Sequence, residues 1–134
     1  MEVDRNGLEV LSRDECMELL ATATLGRVGV TSGALPIVLP VNFRVVGDRI
    51  VFRTGRGTKL DAASSGAVVA LEVDDFDPMG HTGWSVMITG RADEVDPADA
   101  DELRGLALPR WAPKGDGRVV VIRTELVSGR RISH

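Results

Sequence analysis

The sequence predicts a mainly β protein: an antiparallel barrel of six to seven strands with short α-helices, in one domain spanning residues 1–134. Three observations lead there. Segments in which apolar and polar residues alternate recur at strand length along the chain. No βαβ rhythm runs through them, which disfavours a parallel, doubly wound sheet. The connections are short, and Trp84 to Val95 is long enough to curl around a closed sheet.

Taken in order, residues 1–11 read as a loosely held N-terminal arm with Val3, Leu8, Val10 and Leu11 as apolar anchors. Ser12-Arg13-Asp14-Glu15 is a capping box, S-x-x-E, and opens a helix from about Arg13 to Ala23. Cys16, Leu19, Leu20 and Ala23 form its i, i+3, i+4, i+7 stripe, which makes Cys16 a small core residue rather than a nucleophile. Leu25 to Thr31 is a strand with Gly26, Val28 and Val30 on one face, and its glycines leave room either for a flat ligand or for tight curvature. After a turn at Ser32-Gly33-Ala34 the chain returns from Leu35 to Val46, where Pro36 and Pro40 mark an edge or a bulge.

Val41, Phe43 and Val45 alternate with Asn42 and Arg44, while Ile50 and Phe52 alternate with Val51 and Arg53. Gly47-Asp48 between them suits a type II′ turn, with Gly taking the positive φ. That loop pairs Phe43 with Phe52 on the core side and sets Asn42 beside Arg53 on the other. Next come Thr54-Gly55-Arg56-Gly57-Thr58-Lys59 and a helix from Thr58 to Ser65, with Thr58 as N-cap and Asp61 three residues on. A helix N-terminus beside glycines and full positive charges can hold an anion. The residues therefore offer a phosphate clamp of Arg53, Thr54, Thr58 and Lys59, although an ordinary strand–loop–helix junction with a basic rim has the same composition. The P-loop pattern is absent.

Ala67 to Asp74 reads as a central strand and Asp75 to Gly83 as a loop containing His81. Its acids lack the spacing of an EF-hand, so no metal site is expected. Trp84, Val86 and Ile88 share one face of the long strand that follows, Ser85, Met87 and Thr89 the other, and Gly90 bends it. A helix from Asp96 to about Leu106, an irregular loop carrying Trp111 with basic Arg110 and Lys114, and strands at Gly117–Arg123 and Glu125–Ile132 complete the chain, with Ser128-Gly129 as a turn or bulge.

The 20 acidic and 16 basic residues leave a net charge of −4, which argues against general nucleic-acid binding and against adhesion to anionic membranes. With 43% hydrophobic residues the composition is that of a soluble globular protein. The acidic start Met1-Glu2-Val3-Asp4 and the single cysteine lead us to expect a cytoplasmic protein with no internal disulfide.

The run LPVNFRVVGDRIVFRTGRGTKLDAA, with GWSVMITGRA downstream, resembles the pyridoxamine 5′-phosphate oxidase-like family of FMN-binding split β-barrels, above all its small pyridoxamine oxidase-related and nitroimidazole-resistance-like members. The likeness extends from about Ser12 to the C-terminus. It implies FMN as cofactor and a homodimer with two sites at the interface. The phosphate would lie on Arg53, Thr54, Thr58 and Lys59, and the ring against Val41, Asn42, Phe43 and Phe52. Trp84, Ser85 and Trp111 would complete the cavity. It further implies two-electron transfer from a reduced nicotinamide to a small oxidised acceptor, with no protein acid or base required. Turnover of pyridoxamine phosphate itself is not expected, since Arg130 and Arg131 are a thin basic cluster for a second phosphate. A deazaflavin reductase, in which Arg56 extends the clamp, and a non-enzymatic flavin- or haem-binding protein are the alternatives; His81 and His134 are the two imidazoles available to a haem.

Overall fold

The computed structural model describes residues 1–54, 65–95 and 118–132. Within them lie β1 (Glu2–Val3), β2 (Glu9–Val10), α1 (Arg13–Ala21), β3 (Leu25–Ser32), β4 (Leu35–Val46), β5 (Arg49–Thr54), β6 (Ser65–Asp77), β7 (Thr82–Glu94), β8 (Arg118–Arg123) and β9 (Leu126–Ile132). The expected helix at 58–65 lies outside the described residues except for Ser65, which begins β6 instead of ending a helix; the helix at 96–106, residues 55–59 of the glycine loop and the Trp111 segment lie outside them.

Six antiparallel strands close into a barrel in the order β3-β4-β5-β8-β7-β6 and back to β3. The closing seam is Ala92–Glu94 of β7 against Val120–Ile122 of β8. Following paired residues round the barrel from Glu94, through Val120, Phe52 and Phe43, and extending the β3–β6 register by three residues, returns to β7 at Trp84, ten residues earlier. Such a stagger tilts the strands steeply and leaves a lumen that side chains fill. Phe43, Phe52, Leu71, Ile88 and Ile122 fill it, each at most 2% exposed.

One edge of β7 has two partners. Gly83–Thr89 pairs with β9 and Ala92–Glu94 with β8, and the split falls at Gly90. A methyl group there would collide with the Arg123 carbonyl oxygen at the β8–β9 corner, so the close approach requires glycine. Thr124 pins the same corner. Arg13 Nη2 donates to its carbonyl at 2.8 Å and to its Oγ1 at 2.7 Å, and Oγ1 donates to the Asp48 carbonyl in the β4–β5 turn.

The β4–β5 hairpin has the register the alternation predicts, Phe43 with Phe52 and Val46 with Arg49. Gly47 has φ 63° and Asp48 does not enter positive φ, as a type II′ turn requires. The capping box is complete: Glu15 N–H donates to Ser12 Oγ and Ser12 N–H to Glu15 Oε1, both at 3.1 Å. Phe43 N–H points to β3, donating to the Thr24 carbonyl. By alternation the nitrogens of Pro36 and Pro40 point to the opposite edge, which β5 pairs only from Phe43 onward. Proline therefore sits where no ladder bond is lost.

Four further expectations are corrected. The N-terminal arm is pinned rather than loose: β1 pairs with β2, β2 with β9, and Leu11 is in the core. Asp4 holds it by accepting from the Asn6 and Leu8 amides and from Arg130 Nε at 2.8 Å. Gly26 leaves no room for a ligand, because a methyl there would meet Leu71 at 2.9 Å and Val73 at 3.0 Å. Asp75–Asp77 is strand rather than loop, its residues pairing with Trp84, Gly83 and Thr82. Ser128-Gly129 is regular ladder, and Gly129 is needed because Cys16 Sγ and Leu11 press against it. Burial pushes the Cys16 thiol up, in keeping with a packing role.

Candidate functional site

The barrel presents two chemically different regions. The first is the outer face of β4, β5 and β8. Strand alternation directs Arg44, Arg49, Arg53 and Arg123 outward there, and Arg49 lies directly opposite Arg123. Between them runs an apolar seam of Val51 and Val119, both buried, flanked by Val46 and Val121. Arg53 is half-buried and Thr54, which ends β5, is buried. Asn42 and Arg53 each follow the last paired position of the hairpin, Phe43 with Phe52. The guanidinium and, one position past the paired hairpin, the carboxamide share the outer face, donors suited to a phosphate, while Thr54 turns its buried side chain to the other face. Thr58 and Lys59 lie outside the described residues.

Val41, Phe43 and Phe52 face the lumen and are at most 2% exposed. Their side chains are core, and what these positions can offer a ligand is main chain.

The second region is the far end of β7. Trp84 is half-buried, packed on the core beneath it. Two cavities flank this strand end on opposite faces of the sheet, one of about 310 Å³ on the Trp84 side and one of about 160 Å³ on the Ser85 side, and Asp75, Gly83, Trp84 and Ile132 border both. Ser85, Phe76 and Arg130 line the smaller, Asp77 and Arg131 the larger. The arginines are held by the N-terminal segment: Arg130 by Asp4, Arg131 by Glu9 at 3.4 Å and Glu15 at 3.8 Å. Backbone amide donation, from Leu8 to Asp4 and from Ser12 to Glu15, holds both carboxyls below their ordinary range. Sequence reasoning missed Asp75, Phe76 and Asp77 as lining residues. The alternation in Asp75-Phe76-Asp77, continuing β6, was the signal.

Between the two regions lies the outer face of β3, β4, β6, β7 and β9. Val38 at 67% and Leu126 at 69% exposure frame the small residues Gly29 and Ala70 in one row, with Leu25 and Met87 exposed nearby. Arg27 bridges Glu72 and Asp74 on this face, each at 3.2 Å. Burial, and then the adjacent Asp74, pushes the Glu72 carboxyl up. His81 is exposed at the β6–β7 turn with φ 53°. Among the described residues no cluster of His, Cys, Asp or Glu could hold a metal ion, and no helix is long and apolar enough to cross a membrane.

Other proteins share this sequence pattern and this barrel. The profile of one family, pyridoxamine 5′-phosphate oxidase, matches residues 12–131. An uncharacterized protein of Mycobacterium tuberculosis is 44% identical, covering 91% of this chain and 84% of its own length. A structure described as the FAD binding protein from Mycobacterium smegmatis is 33% identical with a TM-score of 0.79, covering 93% of this chain and 98% of that one. A putative pyridoxamine 5′-phosphate oxidase from Corynebacterium glutamicum is 27% identical with a TM-score of 0.80, covering 98% of each.

Proposed function

The chain belongs to the pyridoxamine 5′-phosphate oxidase family, and on that premise we propose that it is a flavoprotein that binds FMN and transfers two electrons from a reduced nicotinamide to a small oxidised acceptor. The observation that carries the cofactor reading is the hairpin register. Continued one residue past Phe43 and Phe52, it supports a phosphate held between Asn42 and Arg53 by charge-assisted hydrogen bonds. Thr58 and Lys59 extend this clamp by sequence. The family and the FAD binding relative support a flavin; the choice of FMN rests on the phosphate clamp that Arg53, Thr54, Thr58 and Lys59 offer in the sequence. The main-chain groups of Val41, Phe43 and Phe52 face the ring, which supplies the redox chemistry when bound. The protein's own work is to bind, orient and exclude water.

The outer face with Leu25, Val38, Met87 and Leu126 supports a homodimer, because contiguous apolar surface on a sheet marks an interaction site. Within one subunit Arg53 and Ser85 lie four strands apart on the sheet, roughly 19 Å. A second subunit on this face brings Trp84, Ser85 and Trp111 to the ring held by its partner.

The test is an absorbance spectrum of the purified protein, then titration with FMN, FAD and a deazaflavin cofactor, followed by sedimentation. Yellow protein, or micromolar or tighter FMN binding by a dimer, is expected. A colourless dimer that takes only the deazaflavin would transfer the reading to that cofactor, and binding of none would remove the enzyme.

A further inference from the structure

We propose that the crevice around Trp84 is a binding site for a small organic cation. Its volume, about 310 Å³, suits a compact ligand. Trp84 gives it an aromatic wall, and Ile132 is exposed beside it. The charge comes from Asp75 and Asp77. Among the described residues no ion pair neutralises either; Asp77 only accepts the Met79 amide at 3.0 Å. Arg131, the arginine in this cavity, does not offset them, because it is matched by both Glu9 and Glu15. The field inside is therefore negative, and it falls on an indole.

A cation gains twice here, from the carboxylates and from the π face. An anion gains from neither and meets two uncompensated carboxylates. The acids alone would be a solvated patch; the cavity and the indole are independent of them and turn them into a site. One consequence is that phosphate-bearing substrates are turned away from this end of the barrel. Use of the crevice as the substrate pocket of the flavin reaction rests on the proposed function, through Trp84. Binding of the cation does not.

The experiment uses the full chain with Trp111→Phe, which leaves Trp84 as the sole tryptophan. Its fluorescence is titrated with 1-methylnicotinamide, a cation, and with nicotinate, an anion on the same ring, and the wild-type chain, which keeps Trp111, is titrated by calorimetry with both probes and with FMN. Saturable binding of the cation is expected, at least tenfold tighter than nicotinate, weakened by salt, and weakened at least tenfold in Asp75→Asn/Asp77→Asn. Both aspartates are exposed, and the carboxamide oxygen introduced by Asp77→Asn still accepts the Met79 amide. Unsaturable quenching, equal affinity for both probes, or unchanged affinity in the double variant overturns the proposal. Cation binding without FMN binding overturns the flavin reading alone, and FMN binding without cation binding overturns this one alone.

Discussion

The two candidate regions of this barrel differ in sign and in construction. At the β4–β5–β8 face, arginines stand outward from strands whose apolar residues fill the lumen, and the charge is built into the alternation of a hairpin. At the Trp84 end the charge is acidic, and the walls come from three separate places: the tip of β6–β7, the end of β9 and the N-terminal arm. A net charge of −4 averages over both. The first region is local in sequence and the second is not, and that difference decides what could be read without a structure.

The largest effect should come from breaking the point where the regions separate. Gly90→Val places side-chain atoms where the Arg123 carbonyl sits, so β7 cannot pass from β9 to β8. A loss of about 3 kcal/mol or more is expected in urea unfolding. A stable Gly90→Val protein would mean that the seam is not what holds the regions apart.

Next is the charge at the basic end. Arg53→Ala removes one charge-assisted contact, worth about 1.5–3 kcal/mol, and should weaken FMN roughly ten- to hundredfold while leaving 1-methylnicotinamide affinity within about twofold. Equal losses for both ligands would merge the two regions into one site.

A smaller effect concerns α1. Ser12→Ala deletes one half of the capping box, and about 1 kcal/mol of stability should go with it in thermal unfolding.

The smallest is the acid response of the arm. Hydrogen bonding to Leu8 N–H, and then to Arg130, depresses the folded-state pKa of Asp4. Its contribution is full above the ordinary aspartate range and disappears as pH falls through the folded value. Protection of the Leu8 amide, its exchange rate relative to the intrinsic rate at the same pH, should fall in acid, and Asp4→Ala should show that lower protection already at neutral pH.

The barrel was legible because its evidence is periodic. Val28, Val30, Phe43, Ile50, Phe52, Val86 and Ile88 alternate as a lumen requires, and the Gly47-Asp48 turn fixes the register. The β7 split was not, since Gly90 shows only that something comes close, and the Arg123 carbonyl that does so is 33 positions away in sequence. Asp75 and Asp77 read as loop because polar residues dilute the strand pattern wherever both faces meet solvent. The arm read as loose because its clasp, Asp4 to Arg130, joins the two ends of the chain. In the clamp, Arg53, Thr54 and Asn42 were readable as neighbours, whereas the crevice needed β9 and the arm in place.

A phosphate held at Arg53 is the central claim. The measurement is an equilibrium titration with FMN and with riboflavin, the same ring without the phosphate, against the wild-type protein and Arg53→Ala. FMN should bind roughly a hundredfold more tightly than riboflavin, and the preference should shrink to about tenfold or less in the variant. Equal binding of the two flavins by the wild type, or a preference that survives the loss of Arg53, would contradict it.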